Sequence, residues 1–393
     1  MQTNKAVNLI GIVGAGAMGS GIAQIASQAG HEVVLFDLSQ EALTSSSSKL
    51  QKVMNRLIEK GKVTSDEAIA IQERIVRTTM VASLKDCDLI IEAVVEDLEV
   101  KKRVFKSIEE IASKEAIIAS NTSSLSITSL ASFCAHPDRV VGLHFFNPAP
   151  LMPLVEIIPA LQTNRNLPIQ LTDLMRKWGK SPVTAKDTPG FIVNRVARPF
   201  YGEAMRMLDE GIADVPTIDA AMRESGFRMG PFQLMDLIGH DVNYSVTESV
   251  FKSFYYDPRY MPSITQLKLV EAGWLGRKSG RGFYNYNDEN EATVVPGQLV
   301  PNVQIEISER IISMLINEAA DAVYLGIASA EDVDTAMLKG VNYPKGLLVW
   351  AEEMGLQKVV HIIDALRDTY GETRYRCSPL LRKLAAEGGK FHK

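Results

Sequence analysis

Val7-Asn8-Leu9-Ile10-Gly11-Ile12-Val13-Gly14-Ala15-Gly16-Ala17-Met18-Gly19, followed eighteen residues later by Asp37, is the stretch on which the fold turns. An apolar run leads straight into G-x-G-x-x-G, a helical pattern follows from about Ala17 to Ala29, and a second apolar run ends in Asp37. The glycines alone are weak evidence, but strand, glycine turn, helix and acid-terminated strand together describe a phosphate cradle. Gly14 allows the tight turn, Gly16 lets a pyrophosphate approach the backbone, and Gly19 lets helix and strand pack closely. Free N–H groups at the helix start face the phosphates. Asp37 can accept hydrogen bonds from an adenosine ribose and repels a 2′-phosphate, and Leu38-Ser39 offers no arginine for one. The expected cofactor is NAD rather than NADP, held along Gly14, Ala15, Gly16, Ala17, Met18, Gly19 and Asp37. A purely structural glycine turn is the competing reading.

Beyond this unit, short Val- and Ile-rich runs alternate with longer helical patterns to about residue 185, the mark of a parallel sheet covered on both faces. Strands are predicted at 7–13, 32–37, 88–95, 116–120 and 139–144, with a further one at 154–158. Several lack polar alternation, as strands buried on both faces should. The texture changes at Asp187-Thr188-Pro189-Gly190, where a polar residue before Pro signals a helix start. The rest of the chain is mainly helical and contains a repeat. Glu203-Ala204-Met205, Gly211-Ile212-Ala213 and Ile218-Asp219-Ala220-Ala221-Met222 recur 115 residues later as Glu318-Ala319-Ala320, Gly326-Ile327-Ala328 and Val333-Asp334-Thr335-Ala336-Met337. Two copies of one helical unit follow from this, joined by a linker at 288–301. The expected architecture is an α/β Rossmann-type dinucleotide-binding domain (1–186) followed by two tandem all-α domains (187–290 and 300–393).

Composition limits the function classes. The chain has 393 residues, more than one ordinary core, with 46% hydrophobic and 23% charged residues, as in a globular protein. A net charge of −5 argues against nucleic-acid binding through bulk charge. No apolar run reaches the length that spans a bilayer, and the first strand starts too early for a cleavable leader before it. Cys87, Cys134 and Cys377 form no CxxC pair, which suits a reducing compartment. A cytoplasmic protein is expected.

Of six histidines, none has metal-ligand spacing. His31, His136 and His392 are expected at solvent, and His240 and His361 as structural residues of the helical half. His144 differs, because it ends a strand in Gly142-Leu143-His144-Phe145-Phe146-Asn147-Pro148, and catalytic groups of open α/β sheets gather at strand carboxyl ends. Twelve residues on, Glu156 stands in the apolar stretch Leu154-Val155-Glu156-Ile157-Ile158. A lone carboxylate there needs a partner. An imidazole would serve, and a His–Glu pair suits a general base for an alcohol proton. A salt-bridged strand glutamate beside an unrelated histidine is the alternative. Asn121-Thr122-Ser123-Ser124 follows another strand end, either facing the crevice or capping a helix. Asn194 is either a core amide or an active-site donor. Lys49, Lys52, Arg56 and Lys60 share an arc of about 80° on one helix, a local anchor for a polyphosphate or simply a solvated face.

Taken in order, Gly14–Gly19 with Asp37, Asp88–Glu96, Ser120-Asn121-Thr122-Ser123-Ser124, Gly142–Pro148, Asp187–Arg195 and Gly276-Arg277-Lys278-Ser279-Gly280-Arg281-Gly282-Phe283-Tyr284 resemble the L-3-hydroxyacyl-CoA dehydrogenase family. The resemblance covers about residues 5–287. It implies oxidation of the 3-hydroxyl of an acyl-CoA by NAD, with His144 as the catalytic histidine and Glu156 as its partner. It also implies that Ser123 and Asn194 hold the substrate oxygen. Asp37, Glu96, Lys101, Ser123, Asn147 and Lys278 match nucleotide contacts, and Lys60, with Arg56 beside it, matches a contact to CoA that Ser123 also reaches. Single-copy members of the family dimerise through the helical domain, so the second copy here is expected to pack on the first as a pseudo-dimer, leaving a monomer or a homodimer. In that copy Glu309 stands where Asn194 would be and no second nucleotide loop precedes it, so it is expected to be structural. Two other functions compete: dehydrogenation of a free hydroxy acid, and a non-catalytic NAD(H) sensor.

Overall fold

β1 (Leu9–Val13) is an inner strand, third from one edge, of an eight-stranded sheet ordered β3-β2-β1-β4-β5-β6-β7-β8. Its neighbours are β2 (Glu32–Phe36) and β4 (Leu89–Glu92), both parallel to it, and β5 (Ile117–Ser120) and β6 (Val140–Phe145) continue the parallel run. β4, β5 and β6 are buried along their whole length, which explains their unbroken apolar sequences. The chain runs outward from β1 to β2 and β3, then crosses back to β4, so the carboxyl ends of β1 and β4 flank the switch point where ligands bind in such sheets. The computed structural model describes residues 7–287 and 301–392, with only the backbone of Pro301, in two compact units, Met1–Phe191 and Ile192–Lys393. The expected linker lies outside the described residues, apart from Pro301, which opens a helix.

The sheet departs from the sequence reading in three ways. β7 (Leu154–Pro159) is antiparallel to β6, so the sheet is not uniformly parallel. β3 (Ile75–Thr78) and β8 (Ser181–Thr184) are additional edge strands. Each is four residues long and largely uncovered, and β8 contains Pro182, so neither gives an apolar signal. Finally, Asp187-Thr188-Pro189-Gly190 is a turn, and the next helix begins at Val193. Asp187 caps a different helix: its carboxylate accepts from Ile127 N (3.0 Å) and Thr128 N (2.7 Å) at the start of Ile127–Ala131.

In the second unit the element order is repeated. Arg198–Asp209, Val215–Glu224, Pro231–Ile238, His240–Ser253 and Ile264–Glu271 are matched by Pro301–Tyr324, Ala330–Gly340, Leu347–Met354, Leu356–Tyr370 and Pro379–Glu387. The local chemistry repeats with it. Asp219 accepts from Phe232 N and Gln233 N, as Asp334 does from Leu348 N and Val349 N. Gly230 and Gly346 leave room for these carboxylates, since an added Cβ would lie 2.2 Å and 2.4 Å from them. The copies then exchange charges. Arg195 Nε and Tyr260 OH of the first reach Glu318 of the second, each at 2.5 Å. Arg310 Nε and Tyr375 OH of the second reach Glu203 of the first, each at 2.9 Å. Such reciprocity is what an isologous two-fold interface produces between separate chains.

Among the histidines, His240 is buried on Asp236 (2.7 Å) and His361 is exposed. His392, expected at solvent, is partly covered and pairs with Asp334 (3.3 Å), because the tail folds back on the second copy.

Candidate active site

Antiparallel pairing of β6 with β7 sets His144 directly opposite Glu156. Opposed residues present their side chains on the same face of a sheet. His144 Nδ1 accordingly meets Glu156 Oε2 at 2.6 Å. Glu156 is fully buried and His144 only 5% exposed, its ring packed against Phe146 and Phe191 at centroid distances of 4.4 Å and 5.8 Å. A carboxylate can only accept, so the histidine donates Nδ1–H and keeps its lone pair on Nε2. That nitrogen is the one able to take a proton.

A second buried carboxylate orders the neighbouring loop. Glu92, the last residue of β4, accepts from Lys101 Nζ (2.6 Å), Ser120 Oγ (2.6 Å) and Val94 N (2.7 Å). Lys101 is itself buried and also reaches Glu96 Oε2 at 3.3 Å. Glu96 Oε1 in turn accepts from Thr122 Oγ1 (2.6 Å), Ser123 N (2.8 Å) and Ser124 N (3.0 Å), with Ser123 Oγ at 3.3 Å. Burial pushes the Glu96 carboxyl up, but the Lys101 ammonium and the loop hydrogen bonds outweigh it and hold the group below the usual carboxylate range. Asn121 Oδ1 accepts from Phe145 N (2.8 Å), tying this loop to the strand end beside His144. The loop is therefore no helix cap; Ser126 caps the helix that follows it. From the sequence Glu92 has no role of its own, and Asn121 and Asp187 are placed only in a strand-end loop and at a helix start, without these partners. Glu92 stands in an apolar stretch as Glu156 does, and the same signal would have found it.

The glycine loop fits a dinucleotide. Gly14 has φ +105°, and a Cβ there would lie 2.7 Å from Ala93 O. A Cβ on Gly19 would lie 1.8 Å from Gly14 O, whereas at Gly16 nothing stands within 4 Å, the open space a pyrophosphate requires. The helix Ala17–Gln28 has no side-chain cap and no acidic residue in its first turn, leaving its N–H groups for an anion. Asp37 follows β2 and accepts from Ala15 N (2.7 Å) and Ser39 N (2.8 Å), so it fastens the loop from the ribose side.

Of the remaining predicted site residues, Asn147 is exposed just beyond β6. Lys49, Lys52, Arg56 and Lys60 lie along the solvent face of Gln40–Glu59 and its cap, with no ion pair among the described residues. In the second unit Lys278 pairs with Asp241 (2.5 Å), and Asn194 is partly covered within Val193–Val196. Glu309, its counterpart, is bonded to Lys358 (2.5 Å). The Gly-Phe-Tyr motif is a clasp: Phe283 N and Tyr284 N donate to the buried Asp236 at 2.9 Å and 3.0 Å.

A dinucleotide loop with a ribose-side carboxylate and a buried His–Glu pair at a neighbouring strand end define an NAD-dependent dehydrogenase acting on a hydroxyl group. Family comparison gives the same class: residues 9–188 match the 3-hydroxyacyl-CoA dehydrogenase NAD-binding domain, and residues 190–286 and 307–393 match the C-terminal domain of that family. The chain belongs to the 3-hydroxyacyl-CoA dehydrogenase family. It is 37% identical to the 3-hydroxyadipyl-CoA dehydrogenase of Escherichia coli (strain K12) over an alignment of 463 positions, gaps included, covering 96% of this chain and 98% of that protein. A probable 3-hydroxybutyryl-CoA dehydrogenase of Deinococcus radiodurans is 42% identical, with 70% of this chain covering 99% of that protein. The crystal structure of an E. coli K12 3-hydroxybutyryl-CoA dehydrogenase superposes with a TM-score of 0.92 at 37% identity, covering 98% of this chain and 99% of that one. No helix among the described residues is long and apolar enough to cross a membrane.

Proposed function

We propose that the chain interconverts an (S)-3-hydroxyacyl-CoA and its 3-ketoacyl-CoA with His144 as the proton-transfer group. The observation that carries this is the buried His144–Glu156 contact of 2.6 Å. NAD, which the Gly14–Gly19 loop and Asp37 would hold, would supply the acceptor for the hydride that leaves C3 of the substrate. His144 takes the hydroxyl proton on Nε2, because its Nδ1–H is committed to Glu156, and Glu156 stabilises the imidazolium that results. In the reverse direction the imidazolium returns the proton to the alkoxide oxygen. Ser123, fastened by Glu96, and Asn194 steady that oxygen and its developing charge. Asp37, Asn147 and Lys278 serve the nucleotide directly, and Lys101 serves it through the placement of Glu96. Lys60 and Arg56, without an ion pair among the described residues, offer cations to the phosphates of CoA, and Ser123 contacts CoA as well.

The domain limits adopted for this reading are 1–186, 187–290 and 300–393. The second copy takes the place of a partner subunit, as the crossed Arg195–Glu318 and Arg310–Glu203 pairs suggest. Sedimentation is expected to find a monomer; a stable dimer built through the first copy refutes this. Three free thiols suit the reducing conditions of a cytoplasm. The acyl groups in the relatives' names, hydroxybutyryl and hydroxyadipyl, are both short and differ in length and in a terminal carboxylate.

A free hydroxy acid is the competing substrate. NADH absorbance with acetoacetyl-CoA, against free acetoacetate, separates the two. NADH should be consumed with the thioester alone. Consumption with neither, while NADH still binds, would move the substrate elsewhere or favour a sensor.

A further inference from the structure

Residues 146–153 connect β6 to β7, and so join the strand that carries His144 to the strand that carries Glu156. Asn147 stands near the start of this connection and is exposed. The connection curls on itself, with Leu151 N and Met152 N both donating to Pro148 O (2.9 Å and 3.0 Å). Such a turn leaves carbonyls without a sheet partner, and a covered carbonyl left unpaired is costly. Lys180 answers that need. Its Nζ donates to Ala149 O (2.6 Å) and to Met152 O (2.8 Å).

The lysine has a fixed base from which to do this. Lys180 N donates to Met175 O (3.0 Å) in the helix Leu167–Lys177, and the adjoining Ser181 N donates to Pro153 O (2.7 Å) as β8 begins. Its side chain is partly covered, and it makes no ion pair among the described residues. Burial pushes the ammonium down to about 8. A cation kept at that cost, with two carbonyls as its partners, is held for the hydrogens it donates. The same curl also touches the nucleotide cradle. A Cβ on Gly21, in the helix that the glycine loop opens, would stand 3.2 Å from Ala149 Cβ and 3.1 Å from Pro150 Cδ. Carbon atoms pack best at about 3.5–4.0 Å, so only glycine lets the curl rest on that helix.

We propose that Lys180 is a positioning residue of the nucleotide site: by gripping both carbonyls it seats the β6–β7 connection on the dinucleotide helix and fixes Asn147 where the cofactor meets it. This rests on the function proposed above and on the contact of Asn147 with the nucleotide. The β6–β7 ladder runs on to Phe145 opposite Val155, so the His144–Glu156 pair is held by the sheet and not by the lysine. Loss of the grip should therefore be felt in cofactor affinity and not in the chemical step.

The test reads NADH binding by fluorescence, well below the melting temperature of each variant, beside turnover of acetoacetyl-CoA. Lys180→Met should raise Kd and KM for NADH by about tenfold, with kcat at saturating NADH little changed. Lys180→Arg keeps the charge and the donors and should restore most of the affinity. Asn147→Ala should weaken NADH binding by a similar factor, and Lys180→Met added to it should cost little more, because both act through one contact. An unchanged Kd in Lys180→Met, whatever its melting temperature, overturns the inference and leaves the lysine a brace for the fold. So does a double variant in which the two losses add. If Asn147→Ala leaves Kd untouched, its nucleotide contact and the inference fall together, whereas the dehydrogenase reading is judged separately, by NADH consumption with the thioester. If Lys180→Met does not fold, Lys180→Gln, shorter and uncharged, takes its place with the same outcomes.

Discussion

Glutamine in place of His144 is expected to lower kcat for acetoacetyl-CoA reduction by about 10³-fold or more, the share a positioned acid–base group contributes, while the Kd for NADH is unchanged. Glutamine keeps a hydrogen-bonding group opposite Glu156 but has no nitrogen that gains and loses a proton near neutrality. The glycine loop and Asp37 follow β1 and β2, whereas His144 lies near the end of β6, so the nucleotide cradle is not disturbed. Turnover and NADH affinity should therefore separate cleanly. Near-normal turnover in this variant would mean that the proton moves by another route and that the His144–Glu156 pair serves only the fold.

The largest stability effect is expected at Glu318. Glu318→Gln leaves Arg195 buried at 3% exposure with no carboxylate against it, and takes one of two acids from Arg259. Breaking a buried pair in this way costs about 3–5 kcal/mol, a fall of about 10 °C in melting temperature for a unit of this size. Adding Arg195→Met should restore part of the loss, since the stranded charge goes with it. Acid supplies an independent check. Burial raises the Glu318 carboxyl, but Arg195, Arg259 and Tyr260 outweigh it and bring the group from 4.5 to about 2. Its folded pKa is depressed, so its contribution is complete above the unfolded value and fades as pH falls from about 4.5 towards 2. The stability gap between wild type and Glu318→Gln should accordingly narrow across that window. A gap that stays constant with pH would show that the charge of Glu318 is not what is being lost.

Much of the first unit could be read from residue order because its signals are local. A glycine loop, the helix it opens and the carboxylate ending the next strand lie within one short stretch of chain, and strands buried on both faces announce themselves by composition. Edge strands have no such signature, which is why Ile75–Thr78 and Ser181–Thr184 are not among the strands expected from the sequence. Strand direction is also silent in composition, so the reversal of β7 was invisible although Glu156 itself was picked out. Asp187 looked like the start of its own helix because capping chemistry shows that a carboxylate caps, not which helix it reaches across space.

What residue order alone determined is the dinucleotide loop, the alternation that makes the sheet, the duplication of the helical unit, and a list of polar residues stranded in apolar surroundings. Each is set by near neighbours, through backbone freedom at glycine, side-chain periodicity and the cost of burying a polar group. Only the tertiary structure decided the partners: His144 with Glu156 through an antiparallel register, Glu96 with the loop at Ser123, Arg195 with Glu318 across the two copies, and, among the described residues, tyrosines rather than an acid for Arg198. A hydrogen bond or ion pair depends on distances of about 3 Å, and distances between residues far apart in the chain exist only once the chain has folded.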